Sequence, residues 1–356
     1  MQDEFVFDSL YSISSGVVQW RSPSNIALIK YWGKKPVQIP SNSSLSFSLS
    51  KCFTSTKVSF KKNNKKGINY QFFFDGKKKP TFENKLDYFF EKISKYCPYL
   101  SKVEMVIESS NSFPHSSGIA SSASAFSALS LCIMEIEKLL NPKLEKPFFF
   151  RKASFLSRLG SGSACRSIIE KFSVWGKTDL ISNSSDFFAL PFKLKIHNLF
   201  NDLCDTILIV DKSAKEFSST KGHELMNSHI FGDARIRQAK SNLSLIIEAF
   251  ESGNYDLFIK VVETEALTLH AMMMTSNPYF ILMKPNTLKI INSVWEFRVK
   301  ENSKLCFTLD AGANVHLIYP KSEQDSVQRF ILEVLSRYCE NGKFINDMIG
   351  TGPFKL

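Results

Sequence analysis

One stretch in the first half of the chain constrains the fold most. An alternating segment, Val103–Ile107, leads through a Ser- and Gly-rich loop at 109–122 into an apolar, Ala-rich segment from about Ser121 to Leu140. The alternation predicts a strand and the apolar spacing predicts a helix, so the loop presents backbone N–H groups at the positive end of a helix dipole. Such a loop binds phosphate, although a Ser-capped buried helix is an equally good interpretation. It is not a P-loop, because no Gly-Lys-Ser/Thr closes it.

The rest of the hydrophobic pattern predicts an α+β chain with two lobes. Alternating, aromatic segments dominate the first third, whereas the second half is largely helical and closes with a late hairpin. We expect strands at 38–49, Thr56–Phe60, Tyr70–Phe74, Val103–Ile107, Thr206–Val210, Cys306–Leu309 and Val315–Tyr319. We expect helices at Asp87–Tyr96, Ser121–Leu140, Phe148–Leu159, from Ala164 onward, and at Ile230–Ser252, Tyr255–Met274, Thr287–Asn302 and Gln324–Cys339.

The positive charge of the chain raises the question of a nucleic-acid partner. The 356 residues carry a formal net charge of +11, but only nine of the 45 basic residues are arginine. The densest lysine runs, at 61–66 and 77–80, lie between aromatic strand-like segments, as hairpin tips do. Neither run interleaves with a recognisable reading helix, so we interpret both as solvated loops and expect no nucleic-acid partner.

Cysteine usage and hydropathy indicate the compartment. The seven cysteines are odd in number and scattered, with no Cys-x-x-Cys pair, which supports neither a zinc site nor a disulfide framework. Residues 1–5 lack the cationic start of a signal peptide, and no apolar run approaches the roughly 20 residues of a membrane span. We therefore expect a reduced, soluble, cytoplasmic protein with no membrane partner.

Three further segments carry candidate chemistry, each with a plain structural alternative. The loop Gly160–Arg166 offers hydroxyls and a guanidinium that can grip a carboxylate or phosphate, or it is a turn with a surface arginine. Residues 23–34 end in two lysines flanking Tyr31 and Trp32, which could close over an anion or form an edge strand. Asp310 follows a strand, where it could act as a base, although an isolated strand-end aspartate is more often a turn residue.

The combination of these segments is more specific than any one of them. Matching strings lie at 25–34, 40–46, 118–123, 160–166, 218–220 and 308–314. Together they are distributed over nearly the whole length of the chain. In this order they resemble the GHMP family of small-molecule kinases and, within it, the mevalonate diphosphate decarboxylases. The Lys-Tyr-Trp-Gly-Lys string at 30–34 and the Gly-Ser-Gly-Ser-Ala-Cys-Arg string at 160–166 are specific to the decarboxylase branch.

The resemblance implies a two-lobed fold, with a ribosomal-protein-S5-like amino-terminal domain at 1–200 and a ferredoxin-like α+β domain at 201–356. It implies MgATP, a homodimer, and ATP-dependent decarboxylation of 5-diphosphomevalonate to isopentenyl diphosphate. The sequence departs from the family at three places: residues 115–117 replace a usual Thr-Ala-Ala, His223 replaces a common Met, and Ala313 replaces a usual Pro.

The resemblance also implies a role for each matching residue. Asp310 would accept the C3-hydroxyl proton, Lys30 would pair with Asp310 or the transferring phosphoryl group, and Arg166 would hold the carboxylate. The substrate-binding residues would be Tyr31, Lys34, Ser161, Gly162, Ser163, Arg166 and Ser219. The ATP-binding residues would be Gly118, Ala120, Ser121 and Ser122. No cage of carboxylates for a metal is visible, so magnesium would be held through the ATP phosphates and water, with Ser122 as a candidate hydroxyl.

Several alternatives share this pattern of residues. A phosphomevalonate decarboxylase or a mevalonate 3-kinase would use the same scaffold. A kinase for homoserine or a sugar would leave the Arg166 loop and the Lys-Tyr-Trp-Gly-Lys string unexplained. From a different class, a non-catalytic nucleic-acid-binding protein would explain the basic charge but not an intact Asp310, Arg166 and phosphate loop.

Overall fold

The amino-terminal half is built on two long strands, β1 (Ser15–Ile29) and β4 (Ser44–Lys62), which pair in antiparallel fashion. Along β1, buried and more exposed residues alternate at first, as expected of a strand with one wet face. From Ser22 to Ile29 every residue is buried, because here β1 is covered on both faces. The computed structural model describes residues 2–8, 12, 14–114, 119–212 and 219–356, the side chains of Ser219 and Thr220 excepted.

The larger sheet has the strand order β14-β1-β4-β7-β5-β6, with β8 pairing β4 and β9 pairing β8. Its remaining strands are β5 (Asn69–Phe74), β6 (Lys77–Lys78), β7 (Val103–Asn111), β8 (Phe172–Trp175), β9 (Leu190–Pro191) and β14 (Phe354–Lys355), and a separate ribbon is formed by β2 (Lys34–Lys35) and β3 (Ile39–Pro40). The helices packed with it are α1 (Pro80–Ile93), α2 (Ser121–Leu140) and α3 (Lys146–Gly160). The last strand, β14, brings the carboxyl end of the chain back to β1.

The carboxy-terminal lobe has a four-stranded sheet in the order β11-β12-β10-β13. Its strands are β10 (Leu203–Leu208), β11 (Cys306–Thr308), β12 (Val315–Pro320) and β13 (Phe344–Met348), and its helices are α4 (Ser219–Leu225), α5 (Gly232–Ser252), α6 (Tyr255–Met274), α7 (Pro285–Glu301) and α8 (Gln324–Phe330). Ile207 faces the core of α5 and α6, whereas Leu208 faces that of α7 and α8. Alternation along β10 therefore fills a core on each side of the sheet.

The structure confirms most of the expected elements, joins the strands expected at 38–49 and Thr56–Phe60 into one strand, β4 (Ser44–Lys62), and corrects four other expectations. α2 and α6 have the expected bounds, while α1 begins at Pro80 rather than Asp87, because a proline suits the first helical turn. The helix expected from Ala164 is a short 3₁₀ helix, Gly162–Ile168. The last helix leaves α-geometry after Phe330 and continues as a π turn and a 3₁₀ turn.

The fourth correction concerns the lysine runs. The run at 61–66 does not cap a hairpin, because β7 lies between β4 and β5 and pairs with both. The run at 77–80 does follow a hairpin turn, but Lys77 and Lys78 form its second strand and Pro80 begins α1. All the lysines of both runs are exposed, as expected of solvated side chains.

Two further features of the fold concern the helices and the cysteines. Among the described residues, none of the helices combines the length and apolarity that crossing a bilayer requires. All seven cysteines are buried and free.

Candidate active site

The centre of the site is an ion pair between the two lobes. Lys30 directly follows β1, and Asp310 lies two residues beyond β11. The Lys30 Nζ atom lies 2.9 Å from Asp310 Oδ1, with the lysine side chain 2% exposed and the aspartate side chain 28% exposed. The carboxylate is therefore held by a buried cation yet remains open on one side.

The same neighbours control the ionisation of Asp310. Burial by itself would raise the pKa of this carboxyl, but the Lys30 ammonium, with His316 and Arg166, outweighs burial and holds the pKa below its ordinary value. The carbonyl of Asp310 contacts His270 Nε2 at 3.1 Å, which fixes the backbone here. Asp310 is consequently a carboxylate at any ordinary pH and is available as a hydrogen-bond acceptor.

Arg166 supplies a second buried cation beside this pair. It lies on the 3₁₀ helix Gly162–Ile168, is 4% exposed, and donates from Nη1 to Ser44 Oγ at 3.0 Å. Its guanidinium stands 5.4 Å from the centre of the Tyr31 ring. Its Nε is buried and has no hydrogen-bond partner among the described residues. A buried, unused donor on a planar cation is suited to an oxyanion such as a carboxylate.

The Gly-Ser-Gly-Ser loop owes its shape to close packing at its glycines. A Cβ at Gly160 would lie 2.3 Å from the Phe126 ring, and one at Gly162 would lie 2.9 Å from both Trp175 and the Tyr31 hydroxyl. Neither position can therefore carry a side chain without displacing its neighbours. Tyr31 itself remains a neutral phenol, because burial raises its pKa although Arg166 opposes the shift.

The candidate phosphate loop adjoins the Gly-Ser-Gly-Ser loop. The Ser122 and Ser161 hydroxyl oxygens are 3.2 Å apart, which joins the start of α2 to the end of α3. Ala120 precedes α2 and has no polar side chain to cap it; its carbonyl accepts the Ala123 N–H at 2.8 Å, but no side chain at the cap position binds the amides of Ser121 and Ser122. These two loops are thus in contact.

A cavity of about 140 Å³ lies beside the start of α2. Ser121 and Ser122 line its edge, and the remaining wall is mostly aromatic and aliphatic. Its lining residues include Phe72, Phe74, Phe82, Leu86, Ala125, Phe126 and Leu129. An apolar, aromatic cavity next to uncapped helix amides has the two surfaces that a nucleotide needs, one for a base and one for phosphate.

Lys34 is a further cation near the Tyr31 ring. Its Nζ lies 6.0 Å from the centre of the Tyr31 ring, and it belongs to the short ribbon of β2 and β3. Burial lowers the pKa of Lys34 to about 8, although the charge of Glu224 opposes the shift. The lysine is therefore a cation that deprotonates unusually easily when no anion is bound.

His223 is a site residue whose role was not predicted. It is 5% exposed, its ring lies 4.7 Å from Tyr31 and 4.5 Å from Trp32, and its Nδ1 accepts the Gly33 N–H at 3.0 Å. Burial, with Lys34 and Arg166 nearby, holds the pKa of His223 well below its ordinary value, so the ring is neutral. The only signal for it was the departure from the family's common methionine.

Not every expected residue can be placed. Gly118 and His115 lie outside the described residues, and so does the Ser219 side chain. Ser163 is half-buried on the 3₁₀ helix and accepts a hydrogen bond from Asn25 through its carbonyl at 3.1 Å. Within the part of the chain that the structure describes, no three His, Cys, Asp or Glu side chains are grouped to hold a metal ion.

Comparison with known proteins identifies the fold. A solved complex described as MDDEF with MVAPP, AMPPCP and magnesium matches with a TM-score of 0.82 and 26% identity, over 96% of this chain and 99% of that chain. The architecture is accordingly the two-lobed α+β fold of the GHMP kinases, as expected from the sequence.

Two family models divide the chain between them. The model for the diphosphomevalonate decarboxylase-like N-terminal domain matches residues 22–187, and the model for the mevalonate 5-diphosphate decarboxylase C-terminal domain matches residues 206–351. The chain belongs to the diphosphomevalonate decarboxylase family.

Curated relatives agree with this assignment. The diphosphomevalonate decarboxylase of Candida albicans is 28% identical over 86% of this chain and 85% of its own length. A phosphomevalonate decarboxylase of Haloferax volcanii is 28% identical over 64% of this chain and 65% of its own length. The relatives thus include proteins named for a diphosphate and for a monophosphate substrate.

Proposed function

We propose that this chain catalyses the ATP-dependent decarboxylation of 5-diphosphomevalonate to isopentenyl diphosphate, with release of ADP, phosphate and CO2. The observation that carries the proposal is the Lys30–Asp310 ion pair beside the buried, partly unused guanidinium of Arg166. The reaction needs a carboxylate that accepts a hydrogen bond and, close to it, a cation that binds an oxyanion.

The first chemical task is to convert a poor leaving group into a good one. The C3 hydroxyl is tertiary, so it departs only after its oxygen has taken the γ-phosphoryl group of ATP. Asp310 accepts a hydrogen bond from the C3 hydroxyl and orients its oxygen for in-line attack on the γ-phosphorus. Orienting the attacking oxygen is the role expected of such a residue in phosphoryl transfer. Because its pKa is lowered, Asp310 is a weak base, so the proton moves late, as the oxygen–phosphorus bond forms.

The second task is the elimination. The C3–oxygen bond breaks, phosphate leaves with the bonding pair, and C3 gains cationic character. The bond between C2 and the carboxylate carbon then breaks, CO2 departs, and that electron pair becomes the new double bond. Arg166 holds the carboxylate in line for this step, with its free Nε as a donor.

The diphosphate end of the substrate binds on the side of Lys34. We assign it to the Lys34 ammonium, the Tyr31 hydroxyl, and the hydroxyls and amides of the Gly-Ser-Gly-Ser loop, with Ser219 as a further donor. Neutral phenol and hydroxyl donors beside a cation recognise phosphate oxygens without adding further buried charge. We include Ser161, Gly162 and Ser163 because this loop packs against the Tyr31 hydroxyl at Gly162.

ATP binds with its phosphates at the start of α2 and its base in the neighbouring cavity. Ser121 and Ser122 line the cavity and offer hydroxyls, and Gly118 and Ala120 precede them in the sequence. Magnesium neutralises phosphate charge during phosphoryl transfer. The residues present suit an ion bound through phosphate oxygens and water, with Ser122 as the hydroxyl offered by the protein.

Filling the cavity tests the placement of the base. In Ala125→Phe, the new ring occupies part of the 140 Å³ cavity. Because the ring takes the space assigned to the base, we expect the KM for ATP to rise about 10-fold or more, a loss of about 1.4 kcal/mol of binding free energy. The KM for 5-diphosphomevalonate is expected to stay within about twofold. Ala125→Ser leaves the cavity open and is the matched control. An unchanged KM for ATP in the phenylalanine variant would place the base elsewhere.

The pH dependence of substrate capture tests Lys34. In the free protein Lys34 loses its proton as pH rises through about 8, so kcat/KM for the diphosphate substrate falls above that pH. A bound diphosphate stabilises the charged form of Lys34. The corresponding fall in kcat, which reports the substrate complex, therefore appears at higher pH than the fall in kcat/KM. Arginine stays charged throughout, and Lys34→Arg is therefore expected to abolish the limb near pH 8. A limb that persists unchanged in Lys34→Arg belongs to another group.

A substrate panel with MgATP separates this activity from its neighbours. Release of CO2 and phosphate is measured with mevalonate, its monophosphate and its diphosphate. We expect both products with the diphosphate only. Both products with the monophosphate would favour a phosphomevalonate decarboxylase, and ADP formation without CO2 would favour a 3-kinase. Salt-sensitive retention on nucleic acid with no ATP turnover would favour a binding protein.

Three further expectations belong to this proposal. The domain division at 1–200 and 201–356 is supported by family models that end at 187 and start again at 206. The homodimer implied by the resemblance is tested by light scattering of the purified protein. A cytoplasmic location agrees with seven reduced, buried cysteines and is tested by fractionation of cells that express the chain.

A further inference from the structure

A second ion pair lies deeper in the protein and is used by none of the steps above. Arg235 on α5 and Glu265 on α6 are both fully buried, and they form a bidentate contact in which Arg235 Nη1 lies 2.9 Å from Glu265 Oε1. Asn242 donates to the same Oε1 at 2.7 Å. The pair is thus geometrically fixed and isolated from water.

The pair binds both backbone groups of one residue. Glu265 Oε2 accepts the Lys30 N–H at 2.7 Å, and Arg235 Nη2 donates to the Lys30 carbonyl at 3.0 Å. Asn42 donates to that carbonyl as well, at 3.0 Å. Lys30 lies just past the last pair of the β1–β4 ladder, Ile29 with Leu45. Side chains from the other lobe therefore replace the strand partner that its backbone would otherwise have.

Stability alone is a weak reason for such a pair. Burying two charges carries a desolvation cost, and apolar residues of the same volume commonly stabilise a protein as well or better. Apolar residues could not reproduce the hydrogen bonds that the pair makes to a backbone N–H and C=O. Those hydrogen bonds are made to Lys30, the residue whose ammonium contacts Asp310.

We propose that Arg235 and Glu265 are positioning residues for catalysis, which hold the Lys30 backbone so that its ammonium meets Asp310 in the geometry that phosphoryl transfer requires. The inference rests on the proposed function, because it assigns Lys30 and Asp310 to that reaction. The alternative is a clamp that merely joins α5 and α6 to β1.

The test is Glu265→Gln, which keeps the shape of the side chain and removes its charge. A displaced Lys30 weakens the ion pair, so we expect kcat per folded molecule to fall by about 10- to 100-fold, the range of a lost charged hydrogen bond. The KM values for ATP and 5-diphosphomevalonate are expected to change less than about twofold. Arg235→Lys keeps the charge but not the planar fork, and we expect a smaller loss of kcat.

The pH profile separates positioning from stability. The titratable and charged groups around Asp310 are Lys30, Arg166, His316 and His270, of which the pair binds only Lys30. With Lys30 displaced, the pKa of Asp310 rises, so the acid limb of kcat moves to higher pH. If the pair were purely structural, Glu265→Gln would lower the melting temperature but leave the acid limb of kcat at its wild-type pH.

The chain offers a matched control in the other lobe. Lys152 and Glu137 form a similarly buried pair, with 1% and 2% side-chain exposure. Glu137→Gln is expected to lower the melting temperature while kcat and the acid limb stay unchanged. If Glu265→Gln behaves in the same way as Glu137→Gln, the positioning role is wrong.

One further variant covers the case in which Glu265→Gln does not fold. The double variant Arg235→Met, Glu265→Leu removes both charges together and is expected to be stable but slow. A stable double variant with the normal kcat overturns the inference. Wild-type protein run in the same assay separates the two proposals, since absence of CO2 release there refutes the function itself and, with it, the role of the pair.

Discussion

Replacing Asp310 by asparagine is expected to leave a folded protein that binds both substrates and turns over roughly 10²- to 10⁴-fold more slowly. Asparagine keeps the size of the side chain but can neither take the hydroxyl proton nor carry the charge that pairs with Lys30. The ion pair is at 2.9 Å, so its loss also frees the Lys30 ammonium from its partner. In the proposed assignment the substrates contact mainly other residues, so their binding constants should change little.

Single-turnover measurement of ADP and CO2, with calorimetric binding of each substrate, checks this result. If the loss lies in the phosphoryl step, ADP and CO2 slow by the same factor. The wild-type rate should remain level down to pH values near the ordinary carboxyl range of about 4, because the lowered pKa keeps Asp310 ionised there. Near-normal turnover of Asp310→Asn would mean that another group orients the hydroxyl.

Replacing Arg166 by lysine is expected to lower kcat about 10- to 100-fold, with a smaller effect on ATP binding. A lysine keeps the charge, but a point cation cannot donate to Ser44 and to a carboxylate in the fixed directions of a guanidinium. One lost hydrogen bond to a charged group is worth about 1.5–3 kcal/mol. The loss should fall on CO2 release, because the carboxylate is gripped until the elimination.

Rapid quenching distinguishes the steps in this variant. We expect ADP to form faster than CO2, so that the C3-phosphorylated substrate accumulates. Arg298→Lys is a matched control, since Arg298 forms a bidentate contact with Glu263 in the carboxy-terminal lobe. That change should leave both rates near normal. Equal slowing of ADP and CO2 by Arg166→Lys would contradict a role confined to the carboxylate.

The helices were predictable where their signals are local. The apolar spacing from Ser121 to Leu140 lies within one helix, so its bounds could be assigned without knowledge of the partners of α2. The start of α6 is similarly marked by Asn254, whose side chain accepts the Leu257 N–H three residues on. Asp310, Arg166 and Lys30 were singled out because they lie in short strings with a family pattern, and the structure pairs Lys30 with Asp310 and places Arg166 near enough to influence that carboxylate.

Strand order and the buried support of the site were beyond the reach of local patterns. Strands β4 and β5 follow each other in the chain, yet β7 lies between them, because pairing partners are chosen by contacts distant in sequence. Glu265 lies in the run Glu263-Thr264-Glu265 of α6, and nothing nearby in the sequence indicates that it binds the backbone of Lys30, 235 positions away. Local periodicity therefore established most of the elements, and the resemblance to a known family supplied the candidate chemistry. Only the packing of one lobe on the other decided which charges are buried, paired and held in position, because burial and electrostatic pairing depend on neighbours in space.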